Sequence, residues 1–193
     1  KIFANYTLSG TSAQISNFTS LSSCTETCVL NFTIYATDTS SNVKQNSTLL
    51  TVADITLPIV NTTFNISNVL VNSVVNYTGN ITDGNGLLSA NITYNMSGII
   101  TYVNFTLSGT SAQVSNTTTI IGCAETFVIN FSLFVTDIAN NVKQNSTLLI
   151  INDITLPVVN TTFNTTSPNI NDVINFTGNI TDLNGLLSAN ITY

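Results

Sequence analysis

The chain has 193 residues and a formal net charge of −6, yet only 6% of its residues are charged, while 43% are hydrophobic. It contains three lysines and no arginine, histidine or tryptophan. This composition excludes a charge-rich disordered tail, a basic nucleic-acid-binding surface and most histidine-based catalytic or zinc sites, so we expect neither an enzyme nor a nucleic-acid-binding protein.

Two long parts of the chain repeat one another at a distance of 99 residues. The sequence NVKQNSTLL begins at both Asn42 and Asn141, and 59 of the 94 residue pairs that can be compared are identical. The segments DITLPIV and DITLPVV, which begin at Asp54 and Asp153, suit junctions because proline is excluded from a central strand. We therefore predict the C-terminal part of one repeat in residues 1–53, a complete repeat in 54–152, and the N-terminal part of the next in 153–193.

Seven strands are predicted in the complete repeat because apolar and polar residues alternate along it. In VVNYTGNIT from Val74, for example, Val75, Tyr77 and Ile81 share one face and the polar residues share the other. The predicted strands in chain order are 57–65, 71–82, 89–97, 100–109, 112–120, 127–137 and 143–151. Such a repeat predicts an all-β fold, a two-sheet Greek-key sandwich of about 99 residues. Residues 1–53 should supply later strands of a sandwich, and residues 153–193 its first three.

Three motifs mark the turns of the repeat: DITLPVV at its start, TDGNGLLSANITY after its second strand, and VTDIANNV before its last strand. With these motifs the chain resembles the tandem immunoglobulin-like repeats of large prokaryotic, and specifically archaeal, cell-surface glycoproteins. In that family a glycine is usual at the position of Asn140. The resemblance implies tandem immunoglobulin-like sandwiches, and its motifs concern turn chemistry more than function.

Sites for N-linked glycosylation are unusually frequent. The motif N-x-S/T occurs 19 times, and all nine occurrences within residues 1–94 recur 99 residues later. Asn and Ser/Thr at i and i+2 project from the same face of a strand, so we expect most sites to face outward and to carry glycans. An asparagine that points inward should be bare. The alternative is that asparagine and threonine merely serve as uncharged polar residues. The candidate sites are Asn5, Asn17, Asn31, Asn46, Asn61, Asn65, Asn76, Asn80, Asn91, Asn95, Asn104, Asn116, Asn130, Asn145, Asn160, Asn164, Asn175, Asn179 and Asn190.

The three cysteines allow two interpretations. Cys24 and Cys123 occupy the same repeat position, whereas Cys28 corresponds to Phe127. Cys24 and Cys28 could close a small disulfide loop, which would leave Cys123 free or bonded to another chain. Alternatively, these cysteines are small hydrophobic residues without a bond.

Most carboxylates recur at the same repeat positions, and the predicted topology gathers several of them. If strands alternate in direction, one pole of the complete repeat carries Asp54, Asp83 and Asp137, with Glu26 of the preceding repeat nearby. Such an arrangement resembles calcium-stiffened junctions of cadherin-like and adhesin repeats, and calcium is the only cofactor we consider. The alternative is that each aspartate caps its own turn. The corresponding residues of the next junction are Glu125, Asp153 and Asp182.

These features predict a structural protein: a heavily N-glycosylated extracellular repeat that assembles head-to-tail with other copies into a filament, stalk or surface layer. No segment is long and apolar enough to predict a membrane span. An archaeal surface in acid or heat would suit a glycan coat. The main alternative is a spacer of a calcium-stiffened adhesin whose binding domain lies elsewhere, and a surface hydrolase would likewise need a further domain.

Overall fold

The computed structural model describes residues 3–22 and 24–193, and this part of the chain forms strands, turns and irregular segments without a helix. The predicted all-β fold class is confirmed. The chain divides into two compact units, one ending at Ile55 and one beginning at Thr56. The strands, which pair in antiparallel sheets, are β1 Val29–Thr37, β2 Val43–Thr51, β3 Ile59–Phe64, β4 Val74–Thr82, β5 Leu87–Met96, β6 Ile99–Thr106, β7 Ser111–Thr119, β8 Val128–Asp137, β9 Val142–Ile150, β10 Val158–Phe163 and β11 Phe176–Thr181.

Among its described residues, the first unit contains one β-hairpin. Strands β1 and β2 pair from Val29 opposite Thr51 to Thr37 opposite Val43. In the loop of residues 38–42 that joins the strands, Ser41 has a left-handed backbone with a φ of 66°. Residues 3–22 form no strand. This differs from the expectation that residues 1–53 supply all the later strands of a sandwich.

Two sheets of the second unit pack against each other as in a β-sandwich. One sheet has the strand order β3-β4-β7 and the other the order β6-β5-β8-β9. Their facing side chains form one hydrophobic core, to which β4 contributes Val75 and Tyr77 and β8 contributes Phe131 and Leu133. Aromatic rings meet at its centre, where the Tyr94 and Phe131 centroids lie 4.6 Å apart. Burial of these faces is the main stabilising contribution.

Gly79 of β4 lies directly against a side chain of the opposite sheet. A Cβ atom added to Gly79 in β4 would lie 2.2 Å from Cδ2 of Leu133 in β8. Leu133 is fully buried, so it has no free space into which it could move. Gly79 therefore sets the distance between the sheets at this point.

Strands β10 and β11 form a further hairpin in the second unit, from Val158 opposite Thr181 to Phe163 opposite Phe176. Residues 186–193 form no strand. The segment 153–193 thus has two strands where three were expected.

Each of the seven strands predicted in residues 54–152 overlaps one observed strand, from β3 to β9. The alternation in β4 is also as predicted, with Val75, Tyr77 and Ile81 buried. The finer predictions of a Greek-key topology, of 99-residue domains and of boundaries at 53/54 and 152/153 stay predictions.

Candidate glycosylation and carboxylate sites

The asparagines of the N-x-S/T motifs lie mostly on the surface. Fifteen of the 19 are exposed, none is buried, and four are half-buried, namely Asn76, Asn91, Asn116 and Asn145. The period of two explains this distribution, because the neighbouring residues of the same strands face the core. Asn130, for example, is exposed in β8 between the buried Ile129 and Phe131.

Some candidate asparagines stand opposite one another on neighbouring strands. Asn61 of β3 faces Asn80 of β4, and Asn91 of β5 faces Asn104 of β6. The side-chain nitrogen of Asn91 donates a hydrogen bond to Oδ1 of Asn104. Glycans attached to both members of such a pair would lie next to each other.

Two half-buried candidates, Asn116 and Asn145, have side chains that bond to the opposite sheet. Nδ2 of Asn116 in β7 donates to the hydroxyl of Tyr94 in β5 over 3.2 Å. Asn145 makes two such bonds. Its Nδ2 atom donates to the backbone oxygen of Val60 over 3.1 Å and to Oγ1 of Thr62 over 3.2 Å. The threonine of the same motif, Thr147, lies with its hydroxyl oxygen 2.8 Å from that of Thr62. A glycan would be attached to the same Nδ2 atom, so the sandwich competes with modification at this motif.

The sequence did not indicate the inward orientation of Asn145. Strand β9 contains two successive leucines, and either could have faced the core. The structure buries Leu149 and exposes Leu148, and Asn145 shares the face of Leu149 by the period of two. Leu149 was thus the sequence feature that could have placed Asn145 on the inner face. Leu148, which is equally apolar, would have placed Asn145 on the outer face instead.

The structure joins Cys24 and Cys28 by a disulfide, with Cα atoms 6.1 Å apart. Cys123 is free and buried in the core of the second unit. Burial raises the pKa of its thiol. This thiol is therefore a packing residue rather than a reactive group.

Asp137 and Asp38 cap corresponding hairpin turns with the same set of hydrogen bonds. One oxygen of Asp137 accepts from the backbone nitrogens of Ala139 and Asn141, and the other accepts from the side chain of Asn141, all over 2.8 Å. At Asp38 the side chain of Asn42 holds the pKa below its usual value, with the backbone of the same residue next in effect. The left-handed Asn140, with a φ of 69°, explains why glycine suits this position in the resembled family.

Asp83 is a candidate ligand because only one of its two carboxylate oxygens accepts hydrogen bonds among the described residues. Its Oδ1 atom accepts from the backbone nitrogens of Asn85 and Gly86, both over 2.9 Å. Its Oδ2 atom is buried and has no hydrogen-bond partner in the described part of the chain. Asp83 and Asp137 each offer a carboxylate oxygen within 4.8 Å of the other, and both residues are buried. Two carboxylates this close are candidate ligands of one cation.

Glu125 lies beside the start of the following segment. Its carboxylate accepts hydrogen bonds from the backbone nitrogen of Ile154, from the hydroxyl of Thr155 and from the side chain of Asn184. The Thr155 hydroxyl, followed by the Ile154 backbone, lowers the pKa of Glu125. In the first unit, Glu26 likewise accepts from the backbone nitrogen of Ile55 over 3.1 Å.

The other predicted ligands cap turns. Asp153 accepts from the backbone of Thr155, and Asp182 accepts from the backbones of Asn184 and Gly185. Among the described residues, Glu125, Asp153 and Asp182 do not offer three ligand atoms within reach of one ion. Asp54 follows β2 in the first unit.

In comparisons with known proteins, no family model and no curated protein sequence matches the chain. The described residues contain no helix that is long and apolar enough to cross a membrane. The function of the chain is therefore inferred from its own candidate sites.

Proposed function

We propose that the chain is a structural repeat of a heavily N-glycosylated extracellular protein, which assembles head-to-tail with other copies into a cell-surface filament, stalk or surface layer. Each repeat is a 99-residue immunoglobulin-like Greek-key sandwich, and residues 54–152 form one such domain. The proposed source is an archaeal surface. The proposal includes no catalytic step.

The main support for a heavily glycosylated surface is the exposure of the candidate asparagines. Fifteen of 19 motifs present an accessible asparagine on a surface that has almost no charge. Outer strand faces also expose large apolar side chains, such as Leu148 and Ile150 of β9. Charged residues usually prevent such strands from aggregating, and bulky hydrated glycans would serve the same purpose here.

Two further observations support a repeat protein outside the cell. The residue pairing of β1 with β2 is that of β8 with β9 shifted by 99 residues, and the pairing of β10 with β11 is that of β3 with β4 shifted likewise. The Cys24–Cys28 disulfide favours an oxidising compartment.

Intact-glycopeptide mass spectrometry of the native protein tests the glycan coat. We expect glycans at most of the fifteen exposed asparagines, because these residues are accessible to solvent. Occupancy of fewer than about a third of the motifs would contradict the proposal, since the surface would then lack its solubilising groups.

The pair formed by Asp83 and Asp137 favours a second candidate function, the calcium-stiffened spacer of an adhesin. Calcium takes six to eight oxygen ligands, and the unsatisfied Oδ2 atom of the buried Asp83 is suited to be one of them. In this alternative the repeats hold a distal binding domain away from the cell surface. The glycan coat is common to both functions, so cation dependence distinguishes them.

A further inference from the structure

The outer face of the four-stranded sheet places two candidate asparagines directly beside large apolar side chains. Asn95 of β5 lies opposite Ile100 of β6, and Asn130 of β8 lies opposite Leu148 of β9. Residues that are directly opposite in an antiparallel pair project from the same face, with Cβ atoms about 4.5–5.5 Å apart. Each of these asparagines therefore has an apolar side chain as its nearest neighbour across the strands.

These two apolar side chains are open to solvent although their strands are paired and the core of the sandwich is closed beneath them. Ile100 is 53% exposed and Leu148 is 61% exposed. Both project away from the hydrophobic core between the sheets. A group that covered them would remove apolar area from water and so stabilise the fold.

The asparagine amides are placed to carry that group. Both Asn95 and Asn130 are exposed. The backbone nitrogen of Gly98 donates a hydrogen bond to Oδ1 of Asn95 over 2.9 Å. This bond orients the amide through its oxygen and does not involve Nδ2, which is the atom that carries an N-linked glycan.

The same kind of pair recurs elsewhere in the chain. In the first unit, Asn31 of β1 lies opposite Leu49 of β2, which is the pair of Asn130 and Leu148 shifted by 99 residues. In the second unit, Asn91 of β5 also lies opposite the half-buried Phe134 of β8. Large apolar residues thus stand beside motif asparagines in both units.

We propose that the first sugar of the glycan on Asn130 lies against Leu148, and that the first sugar on Asn95 lies against Ile100. A pyranose ring presents an apolar face of C–H groups, and its linkage to Nδ2 keeps that ring within reach of the residue opposite. Each glycan therefore covers the apolar side chain beside its own asparagine. This inference rests on the proposed glycan coat and gives its first sugars a defined position on the sheet.

Hydroxyl-radical footprinting of the native glycoprotein tests whether the sugar covers Leu148. Asn130→Gln removes the glycosylation motif and keeps a side-chain amide, so oxidation of Leu148 should rise severalfold in that variant. Val142 is the matched control, because it lies on the same face of β9, is 53% exposed and stands opposite Thr136 instead of a motif asparagine. Oxidation of Val142 should be the same in both proteins.

A double-mutant cycle tests whether the contact stabilises the fold. Leu148→Ala is made both in the glycosylated parent and in Asn130→Gln, and denaturant unfolding is measured for all four proteins. Leu148→Ala should raise the equilibrium constant of unfolding about two- to tenfold more in the parent than in Asn130→Gln. Val142→Ala should have the same effect in both backgrounds.

Glycopeptide mapping of Asn130 separates this inference from the proposed function. If Asn130 carries a glycan but Leu148 is oxidised equally with and without it, the inference is overturned and the glycan coat stands. Equal effects of Leu148→Ala in the two backgrounds would overturn the inference in the same way. A bare Asn130 among otherwise occupied motifs would also overturn it, whereas bare motifs throughout the chain would overturn the proposed function as well.

Discussion

At the scale of single residues, the contacts of the side-chain amide decide what an asparagine does in this chain. Asn130 and Asn145 both belong to N-x-S/T motifs, but Asn130 is exposed in β8, whereas Asn145 bonds to β3 of the opposite sheet. The motif alone cannot distinguish the two, because it fixes the residue types and not the strand face. Surface exposure was therefore predictable for most of these sites, and the inter-sheet role of Asn145 was not.

We predict that Asn145 carries no glycan and that its replacement weakens the fold. In unglycosylated protein, Asn145→Ala should lower the free energy of unfolding by about 1–3 kcal/mol, because the backbone oxygen of Val60 loses its donor. Denaturant unfolding measures this change. Asn130→Ala is the control and should stay within about 0.5 kcal/mol of the parent.

Glycopeptide mapping tests the other half of this prediction. Asn130 should be occupied where Asn145 is bare. Full occupancy of Asn145 together with an unchanged stability of Asn145→Ala would show that the inter-sheet hydrogen bonds are unimportant.

Glu125 gives a pH-dependent prediction. The Thr155 hydroxyl and the Ile154 backbone lower the pKa of Glu125 from its usual value of 4.5. Because the folded-state pKa is lowered, the stabilisation is fully present above pH 4.5 and is lost as the pH falls through the folded-state value. Protection of the Ile154 amide in hydrogen exchange should decrease over that interval, after correction for the intrinsic exchange rate.

Glu125→Gln should abolish this pH dependence, because its side chain has no charge to lose. The effect is small since the carboxylate is accessible to solvent. Equal pH dependence in the parent and in Glu125→Gln would contradict the assignment.

At the scale of strands, the sequence predicted correctly those strands whose pairing partners lie within the same complete repeat. The alternation of apolar and polar residues predicted β3 to β9, since their partners are all within residues 54–152. The same alternation exists in residues 12–20, yet no strand forms there. Alternation reports the faces of a strand, whereas strand formation also needs a neighbour that satisfies the backbone.

Alanine substitutions at Gly79 and Gly178 test how closely the two sheets pack. Gly79→Ala should lower the free energy of unfolding by about 1–3 kcal/mol, because the new methyl group would overlap Leu133. Gly178→Ala, at the corresponding position of β11, should change the stability of the single chain by less than about 0.5 kcal/mol. Denaturant unfolding compares the two variants.

Substitutions in the turns of Asp83 and Asp182 can distinguish the structural repeat from the calcium-stiffened spacer. If Asp83 and Asp137 bind calcium, a chelator should lower the melting temperature, and Asp83→Asn should abolish that shift, because an ion bound only to the folded state stabilises it by mass action. Asp182→Asn is the control, since Asp182 caps the corresponding turn but belongs to no three-ligand group among the described residues. An unchanged melting curve in excess chelator would leave turn capping as the only role of Asp83.

At the scale of the whole molecule, the chain combines strands rich in isoleucine, valine, threonine and asparagine with very little charge. Such a surface invites edge pairing and aggregation unless another group covers it. Glycans on the outer strand faces would cover this surface. Composition and motif frequency are the sequence features that predict such a coat.

Cryo-electron microscopy of the native material tests the central claim most directly. The account predicts uniform, unbranched filaments or stalks built of consecutive β-sandwiches. Each sandwich should have sugar density at exposed asparagines such as Asn80, Asn104 and Asn130, and none at Asn145. Separate particles whose sandwiches neither continue into one another nor carry sugar density would contradict it.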